Sequence, residues 1–221
     1  MADSVYRQFF EMSLDMLCLA GTDGYFKKLS PTWSQVLGWT EKELLSRPFV
    51  EFVHPDDVQS TIAAASQLGQ QEDVVRFTNR YRCKDGSYLW LEWNSKASAD
   101  GHIYAVARDI TKNKHQAQLL EDLQQLAGIG AWEVDLKTMC CLWSNETYRI
   151  HEVPVGTPVD VSDGISFYAP EFQPIIQTAV EKAIATGEPW DIEARFFTAK
   201  KNELWVRAIG KAHFVKMSVS G

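Results

Sequence analysis

Basic residues are in short supply in this chain of 221: 22 Lys and Arg stand against 29 Asp and Glu, for a net charge of −7. Recognition of a phosphate backbone rests on clustered Lys and Arg, so a nucleic-acid surface is not expected. Long apolar runs are also missing; no stretch approaches the roughly 18 unbroken apolar residues of a membrane span. Met1-Ala2-Asp3-Ser4 puts no basic region ahead of an apolar one, which argues against a secretory signal. The four cysteines, Cys18, Cys83, Cys140 and Cys141, include no C-x-x-C pair. Neighbours such as Cys140 and Cys141 cannot bridge each other without strain, so no disulfide framework is indicated and a reducing, cytoplasmic setting is expected. A Gly-rich phosphate loop, a G-x-S-x-G elbow and an H-E-x-x-H helix are all absent. Asp15, Asp23 and Glu43 have turn or capping explanations. No residue is assigned a catalytic or metal-binding role, and the chain is not expected to be an enzyme.

What is present is an ordinary globular composition, 45% hydrophobic and 23% charged, at a length that fits two domains of roughly 100 residues. The chain also repeats itself. Phe52-Val53-His54-Pro55 matches Phe167-Tyr168-Ala169-Pro170 at an offset of 115 positions, and the same offset carries Arg80-Tyr81 onto Arg195-Phe196 and Leu89-Trp90-Leu91 onto Leu204-Trp205-Val206. Nearer the start of each half, Ser30-Pro31-Thr32 with Val36 matches Ser144-Asn145-Glu146 with Ile150 at an offset of 114. Two copies are too few for a solenoid, so the repeat implies two similar domains.

Local signals order the elements. Met16 to Ala20 reads as a strand, Thr22-Asp23-Gly24 as a hairpin turn and Tyr25 to Leu29 as the return strand. Ser30 is expected to cap a helix with Pro31 in its first turn. Thr40-Glu41-Lys42-Glu43 is a capping box, and Pro55-Asp56-Asp57 opens a third helix reaching about Leu68. Three β runs follow, Val74 to Lys84, Ser87 to Ala97 and His102 to Ile110, joined by Asp85-Gly86 and Asp100-Gly101. Sequential hairpins predict a mostly antiparallel sheet with helices on one face, an α+β arrangement.

Four stretches in that order resemble the PAS family, in its Trp-rich branch ending in a PAC segment: Ser30-Pro31-Thr32-Trp33 with Leu37-Gly38-Trp39; Val53-His54-Pro55-Asp56-Asp57; Lys84-Asp85-Gly86-Ser87-Tyr88-Leu89-Trp90; and Arg108-Asp109-Ile110-Thr111. The second half keeps Trp143-Ser144, Tyr148-Arg149-Ile150 and Glu203-Leu204-Trp205-Val206-Arg207, but has Glu152 where the Gly stood and lacks the acids after Pro170. The resemblance implies two PAS-like domains, each a five-stranded antiparallel sheet cupping a small cavity under short helices. Their expected bounds are 1–111 and 129–221, with a helical linker at 112–128. The second domain is expected to break off within its last strand, at Met217-Ser218-Val219-Ser220-Gly221, with an effector domain following.

By that resemblance the chain is the sensory input module of a bacterial signalling protein, acting through ligand binding, dimerisation or both. A constitutive dimerisation scaffold and a non-covalent flavin redox sensor are the alternatives. Leu19, Phe26, Val36, Phe52, Val53, Leu89 and Leu91 are expected to line the first cavity. Asp109, Ile110 and Thr111 are where the signal would leave it, and Thr111 also suits the cap of the linker helix. In that linker, Leu119, Leu123 and Leu126 fall at i, i+4 and i+7, widened by Leu120. The stripe either pairs with a second copy or packs on the chain's own domains.

The preferred reading has no cofactor. The light-sensing branch needs a cysteine in an Asn-Cys-Arg-Phe-Leu-Gln type helix, which is absent. Trp33, Trp39, Trp90 and Trp93 suit stacking on a non-covalent FAD, but are read in preference as core and motif tryptophans of this branch. Haem needs an axial His; of His54, His102, His115, His151 and His213, His151 at the end of a short helix is the least implausible ligand, and haem is not expected. His54 with Asp56 and Asp57 reads as helix capping rather than as a metal site. Segments typical of histidine kinases and diguanylate cyclases are missing from the chain itself.

Overall fold

A computed structural model describes residues 2–69, 73–98 and 101–213. The chain divides into two compact units, Met1–Ala117 and Gln118–Gly221. The division falls inside the linker helix rather than at either of its ends.

Unit 1 starts with a helix that sequence signals did not predict, α1 (Ala2–Met12). Strands β1 (Met16–Gly21) and β2 (Phe26–Leu29) form a hairpin whose turn uses Gly24 at φ +82, a left-handed conformation open to glycine without steric cost. Helices α2 (Thr32–Leu37) and α3 (Glu41–Leu45) follow, then two 3-10 turns and α4 (Val58–Gly69). The capping box at Thr40 and Glu43 is formed on both sides. Strands β3 (Val74–Arg82), β4 (Tyr88–Ala97) and β5 (His102–Asp109) complete an antiparallel sheet ordered β2-β1-β5-β4-β3. The last strand therefore enters the middle of the sheet, between the first and the fourth.

Side-chain alternation explains the core. Along β1, Met16, Cys18 and Ala20 are buried while Leu17 and Leu19 are half-buried, the period of two that a pleated strand imposes. Facing them, Trp33 and Leu37 of α2, Leu44 of α3 and Leu68 of α4 close one hydrophobic cluster.

Two capping expectations are corrected. The α2 N-cap is Pro31, without a side-chain cap; the buried Ser30 hydroxyl instead accepts the Leu17 N–H at 3.0 Å, closing the β1–β2 end of the sheet. Thr111 is the first residue of the linker helix α5 (Thr111–Ala127), and its hydroxyl accepts the Trp90 N–H at 2.8 Å. Asp109 holds the start of the helix by accepting the Thr111 N–H, also at 2.8 Å.

Unit 2 repeats the order: β6 (Trp132–Asp135), β7 (Cys140–Trp143), α6 (Asn145–His151), α7 (Val161–Ser166), α8 (Gln173–Thr186), β8 (Trp190–Phe197) and β9 (Glu203–Gly210). Among the described residues its strands form two antiparallel pairs, β6 with β7 and β8 with β9. The fifth strand expected to end at Met217-Ser218-Val219-Ser220-Gly221 lies outside the described residues.

Backbone hydrogen bonds confirm the repeat register. His54 N–H to Arg80 O (2.8 Å) is matched by Ala169 N–H to Arg195 O (2.9 Å). Lys84 N–H to Leu37 O is matched by Ala199 N–H to His151 O, both at 2.9 Å. The Val53–Tyr81 bridge has its counterpart in Tyr168–Phe196. Tyr81 and Phe196 are thus the same position in two copies of one fold.

Candidate functional site: a cavity in unit 1 and the root of the linker helix

A cavity of about 60 Å³ lies in unit 1, bounded by β1, β3, β4 and β5, by α4 and by Phe49. The pleat sends Cys18 and Ala20 to it from β1, Asn79 and Tyr81 from β3, and Trp93 from β4. Small residues of α4, Ala64 and Ala65, leave the space open on the helical side. No Lys, Arg, His, Asp or Glu lines it.

Three aromatic rings pack together at its edge: Trp33 and Trp93 at 5.7 Å, Tyr81 and Trp93 at 5.4 Å, and Trp33 and Tyr81 at 6.0 Å between centroids. A buried polar chain holds the second of these tryptophans. The Trp93 indole N–H donates to Asn79 Oδ1 at 2.7 Å, Asn79 Nδ2 donates to Thr61 Oγ1 at 3.0 Å, and the Thr61 hydroxyl donates to the Asp57 carbonyl at 2.7 Å. Because a buried polar group without a partner is costly, this chain fixes the rotamers of all three side chains. Burial alone pushes the Cys18 thiol up to about 12. Burial, with the nearby Cys18, holds the Tyr81 phenol well above its ordinary range. Both are neutral at physiological pH.

Of the residues expected at the cavity, Phe26 lines it. Phe52, Val53 and Leu91 are buried in the same core, and Val36 and Leu89 pack against it, without lining the cavity. Phe52 meets the Trp39 ring edge-on at 5.6 Å. Leu19 is one residue out of phase: it sits with Leu17, Tyr104 and Val106 beside a groove on the other side of β1 and β5. The apolar lining contributed by α4 and the polar Asn79 and Tyr81 were missed, because alternation shows that a strand has two faces without saying which faces the cup.

The linker root is built on Trp90. Its N–H donates to the Thr111 hydroxyl, and its carbonyl accepts the Ile110 N–H at 2.9 Å. Its ring lies 5.3 Å from the Arg80 guanidinium and 5.2 Å from the Lys114 ammonium, contacts that an electron-rich indole face favours. Arg80 is in turn held by Asp57, to which it donates from its backbone N–H, Nε and Nη2 at 2.7–2.9 Å. These bonds keep the Asp57 carboxyl below its usual range. Further along α5, Leu119, Leu120, Leu123 and Leu126 are all more than half exposed. The stripe is not packed on its own unit.

The remaining candidates do not line the cavity. The Trp33 and Trp39 indoles donate to the carbonyls of Leu17 (3.0 Å) and Arg82 (2.8 Å). His54 Nδ1 accepts the Asp56 N–H at 3.3 Å, the capping role expected of it. In unit 2, the His151 ring lies 4.1 Å from Trp143, 4.9 Å from Phe167 and 4.7 Å from Phe196, and its Nδ1 is 2.7 Å from the Thr147 carbonyl. Burial lowers its pKa. Among the described residues no group of three or more His, Cys, Asp and Glu is placed to hold a metal ion, and no helix is long and apolar enough to cross a membrane.

An antiparallel five-stranded sheet cupping a small cavity and exiting into a helix defines a sensor-type α+β fold. A family model of the PAS fold matches residues 26–107 and 142–219, and the chain belongs to the PAS family, with one copy in each unit. Over 221 aligned residues, 94% of this chain, it is 23% identical to the probable diguanylate cyclase DgcE of Escherichia coli (strain K12). It is 24% identical over 132 residues, 56% of the chain, to the sensor histidine kinase TmoS of Ectopseudomonas mendocina. The chain spans 20% and the matched part 13% of those proteins' lengths. Among solved structures, a domain of a sensory box sensor histidine kinase/response regulator from Geobacter sulfurreducens is 23% identical, with a TM-score of 0.44, covering 49% of this chain and 94% of that one.

Proposed function

We propose that the chain is the sensory input segment of a signalling protein, in which occupancy of the unit 1 cavity is passed through β4 and β5 to the linker helix α5. The observation that carries this reading is the double hydrogen bond between Trp90 and the Ile110-Thr111 step. It joins the helix root to the strand that, three residues on, supplies Trp93 to the cavity. A change in cavity contents biases the helix only to the extent that it favours one arrangement of this junction. The names of the relatives support a diguanylate cyclase or a histidine kinase as the class of effector. Four free thiols suit a cytoplasmic setting.

The exposed leucines of α5 support pairing with a second copy of the chain. Replacing Leu123 by Glu is expected to turn a dimer into a monomer in sedimentation velocity; unchanged sedimentation removes α5 from the interface. In the full-length protein, Asp109→Ala and Thr111→Val should each uncouple output from ligand. If neither changes output, the route through the helix root is wrong.

The cavity favours a cofactor-free module. A space of about 60 Å³ is less than half that of an engineered apolar cavity of about 150 Å³ that takes one benzene, far short of a flavin's three fused rings. Trp33, Trp39 and Trp93 already spend their indole N–H groups on the fold. An absorption spectrum from 250 to 700 nm tests this directly: a flavin or Soret band refutes it. A constitutive dimer scaffold is the second reading, and the leucine stripe favours it as strongly as it favours switching. Dimerisation without any ligand response in output would select the scaffold.

A further inference from the structure

Asp57 stands where two chains of side-chain contacts meet, one running into the cup of unit 1 and one running out of it. The inner chain ends on its backbone carbonyl: Trp93 donates to Asn79, Asn79 to Thr61, and the Thr61 hydroxyl to the Asp57 carbonyl. All three of those side chains line the cavity. The outer chain starts from the Asp57 carboxylate, which accepts three bonds from Arg80. The Arg80 guanidinium lies over the Trp90 ring, and the Lys114 ammonium of α5 lies over the same ring.

Topology explains why one residue reaches both chains. β3 is an edge strand, and the segment before α4 runs along its free edge: Val53 bridges Tyr81, and the His54 N–H donates to the Arg80 carbonyl. Neighbours on a strand point to opposite faces. Asn79 therefore turns inward to Thr61, while Arg80, opposite Trp90 in the strand register, turns outward. Asp57 closes the edge between them, half-buried, where solvent screens its ion pair less than it would an exposed one. Movement of the first turn of α4 carries the carboxylate that holds Arg80.

Unit 2 keeps the outer pair and lacks the junction. The offset of 115 holds here too, since Asp57 N–H to His54 O (2.9 Å) is matched by Phe172 N–H to Ala169 O (2.8 Å). Arg195 and Trp205 stand for Arg80 and Trp90, but Phe172 stands for Asp57. Ile176, Ala194 and Ala208 replace Thr61, Asn79 and Trp93, so the inner positions carry no polar side chain. Arg195 pairs instead with Glu171 and Glu203.

We propose that Asp57 is the positioning residue that couples packing inside the unit 1 cup to the root of α5, over the β3 edge and separately from the route through β4 and β5. The inference rests on the sensory reading above and adds to it a second path and the residue at its junction. Such coupling is an energy shared between two ends and works in both directions. It requires that the arrangements of Asp57 differ in how they hold Arg80.

The test follows the indole N–H resonances of Trp90 and Trp93 by NMR in the whole chain, with Thr61→Val as the inner perturbation. That variant replaces the hydroxyl joining Asn79 to Asp57 by a methyl group. It is expected to shift both resonances. The Trp90 shift should vanish when Asp57→Asn or Arg80→Gln is already present, while the Trp93 shift persists. Arg80→Gln leaves Asp57 in place, so a disturbed α4 start does not explain a loss seen in both backgrounds, and a circular dichroism melt establishes that each variant is folded. A Trp90 shift that survives both variants overturns the relay, because the perturbation then travels through β4. No Trp90 shift in the parent background overturns any coupling between the two ends. In the full-length protein, Thr61→Val should change output roughly fivefold or more, and no further once Asp57→Asn is present. Output unmoved by Thr61→Val, with the relay intact by NMR, overturns the sensory reading and leaves the relay standing.

Discussion

Unit 1 and unit 2 share a register down to individual hydrogen bonds, yet they solve the same packing problem with different chemistry. Unit 1 fills its centre with the Trp33–Tyr81–Trp93 triangle and threads a polar chain through it. Unit 2 stacks Phe167 on Phe196 at 5.7 Å and inserts the His151 ring beside them, where unit 1 has Leu37. The backbone plan tolerates either filling because it depends on alternation and turns, whereas what a core can bind depends on which few atoms face its remaining space.

If the units are separate cores, damage to one should spare the other. Trp33→Ala, which removes the largest fully buried side chain of unit 1, is expected to cost about 3–5 kcal/mol. Calorimetry should show the unit 1 transition lowered and that of unit 2 unmoved; a joint shift would mean that the two fold as one.

The polar chain gives the next largest effect. Asn79→Ala installs the residue that unit 2 carries at Ala194, but here it strands the Trp93 indole N–H, while the Thr61 hydroxyl keeps its bond to the Asp57 carbonyl. A loss of about 2–3 kcal/mol is expected, and it should shrink when Trp93→Ala is added, because the stranded donor goes with it. Additive losses in denaturant unfolding would break the argument.

Glycine supplies a milder contrast. Gly38 ends α2 at φ +76, whereas Glu152 ends α6 at φ +55, a region that costs a side-chain-bearing residue about 1–2 kcal/mol. In unit 2 the carboxylate recovers something by accepting from the Thr198 hydroxyl and from Asn202 Nδ2 at 2.7 Å. The corresponding unit 1 positions are Cys83 and Ser87, so Gly38→Glu should destabilise unit 1 by about 1 kcal/mol in urea melts. No loss would mean that the left-handed cap is not what selects glycine there.

The smallest effect expected is on pH. His151 has its pKa lowered by burial, with the Thr147 carbonyl opposing; the rings of Trp143, Phe167 and Phe196 surround it. In the unfolded chain it titrates near 6.5, so the unfolded state binds more protons and stability falls as pH drops through that value. Unit 2 should weaken as pH falls below about 6.5 relative to its stability at pH 8, and His151→Leu should flatten the decline. A decline unchanged by that substitution would place its origin elsewhere.

Much of this was legible in the linear chain. The 115-residue repeat, the Asp-Gly turns and the Thr40 capping box are local, and local geometry specified the strands, the helices and their order. The PAS motifs added the antiparallel five-stranded sheet. Helix α1 was missed although Val5, Phe9 and Tyr6, Phe10 recur at helical spacing; its start carries no capping box to mark it.

The cavity residues were only partly legible. Phe26 lies at the cavity and Leu19 on the other side of the sheet, while Asn79 and Tyr81 were not among the expected residues, because hydrophobicity is a poor guide to which side chains face a hole. Sequence by itself determined two copies of one fold, their element order and a linker helix with a leucine stripe, all consequences of short-range turn chemistry and of periods of 2 and 3.6 residues; that the stripe is unburied came from the structure. Tertiary structure alone decided that Trp90 roots the helix and that Trp93, Asn79 and Thr61 join in one chain ending on the Asp57 carbonyl. Those depend on residues 14 to 21 positions apart being brought within bonding distance by strand pairing and helix packing, which no local rule encodes.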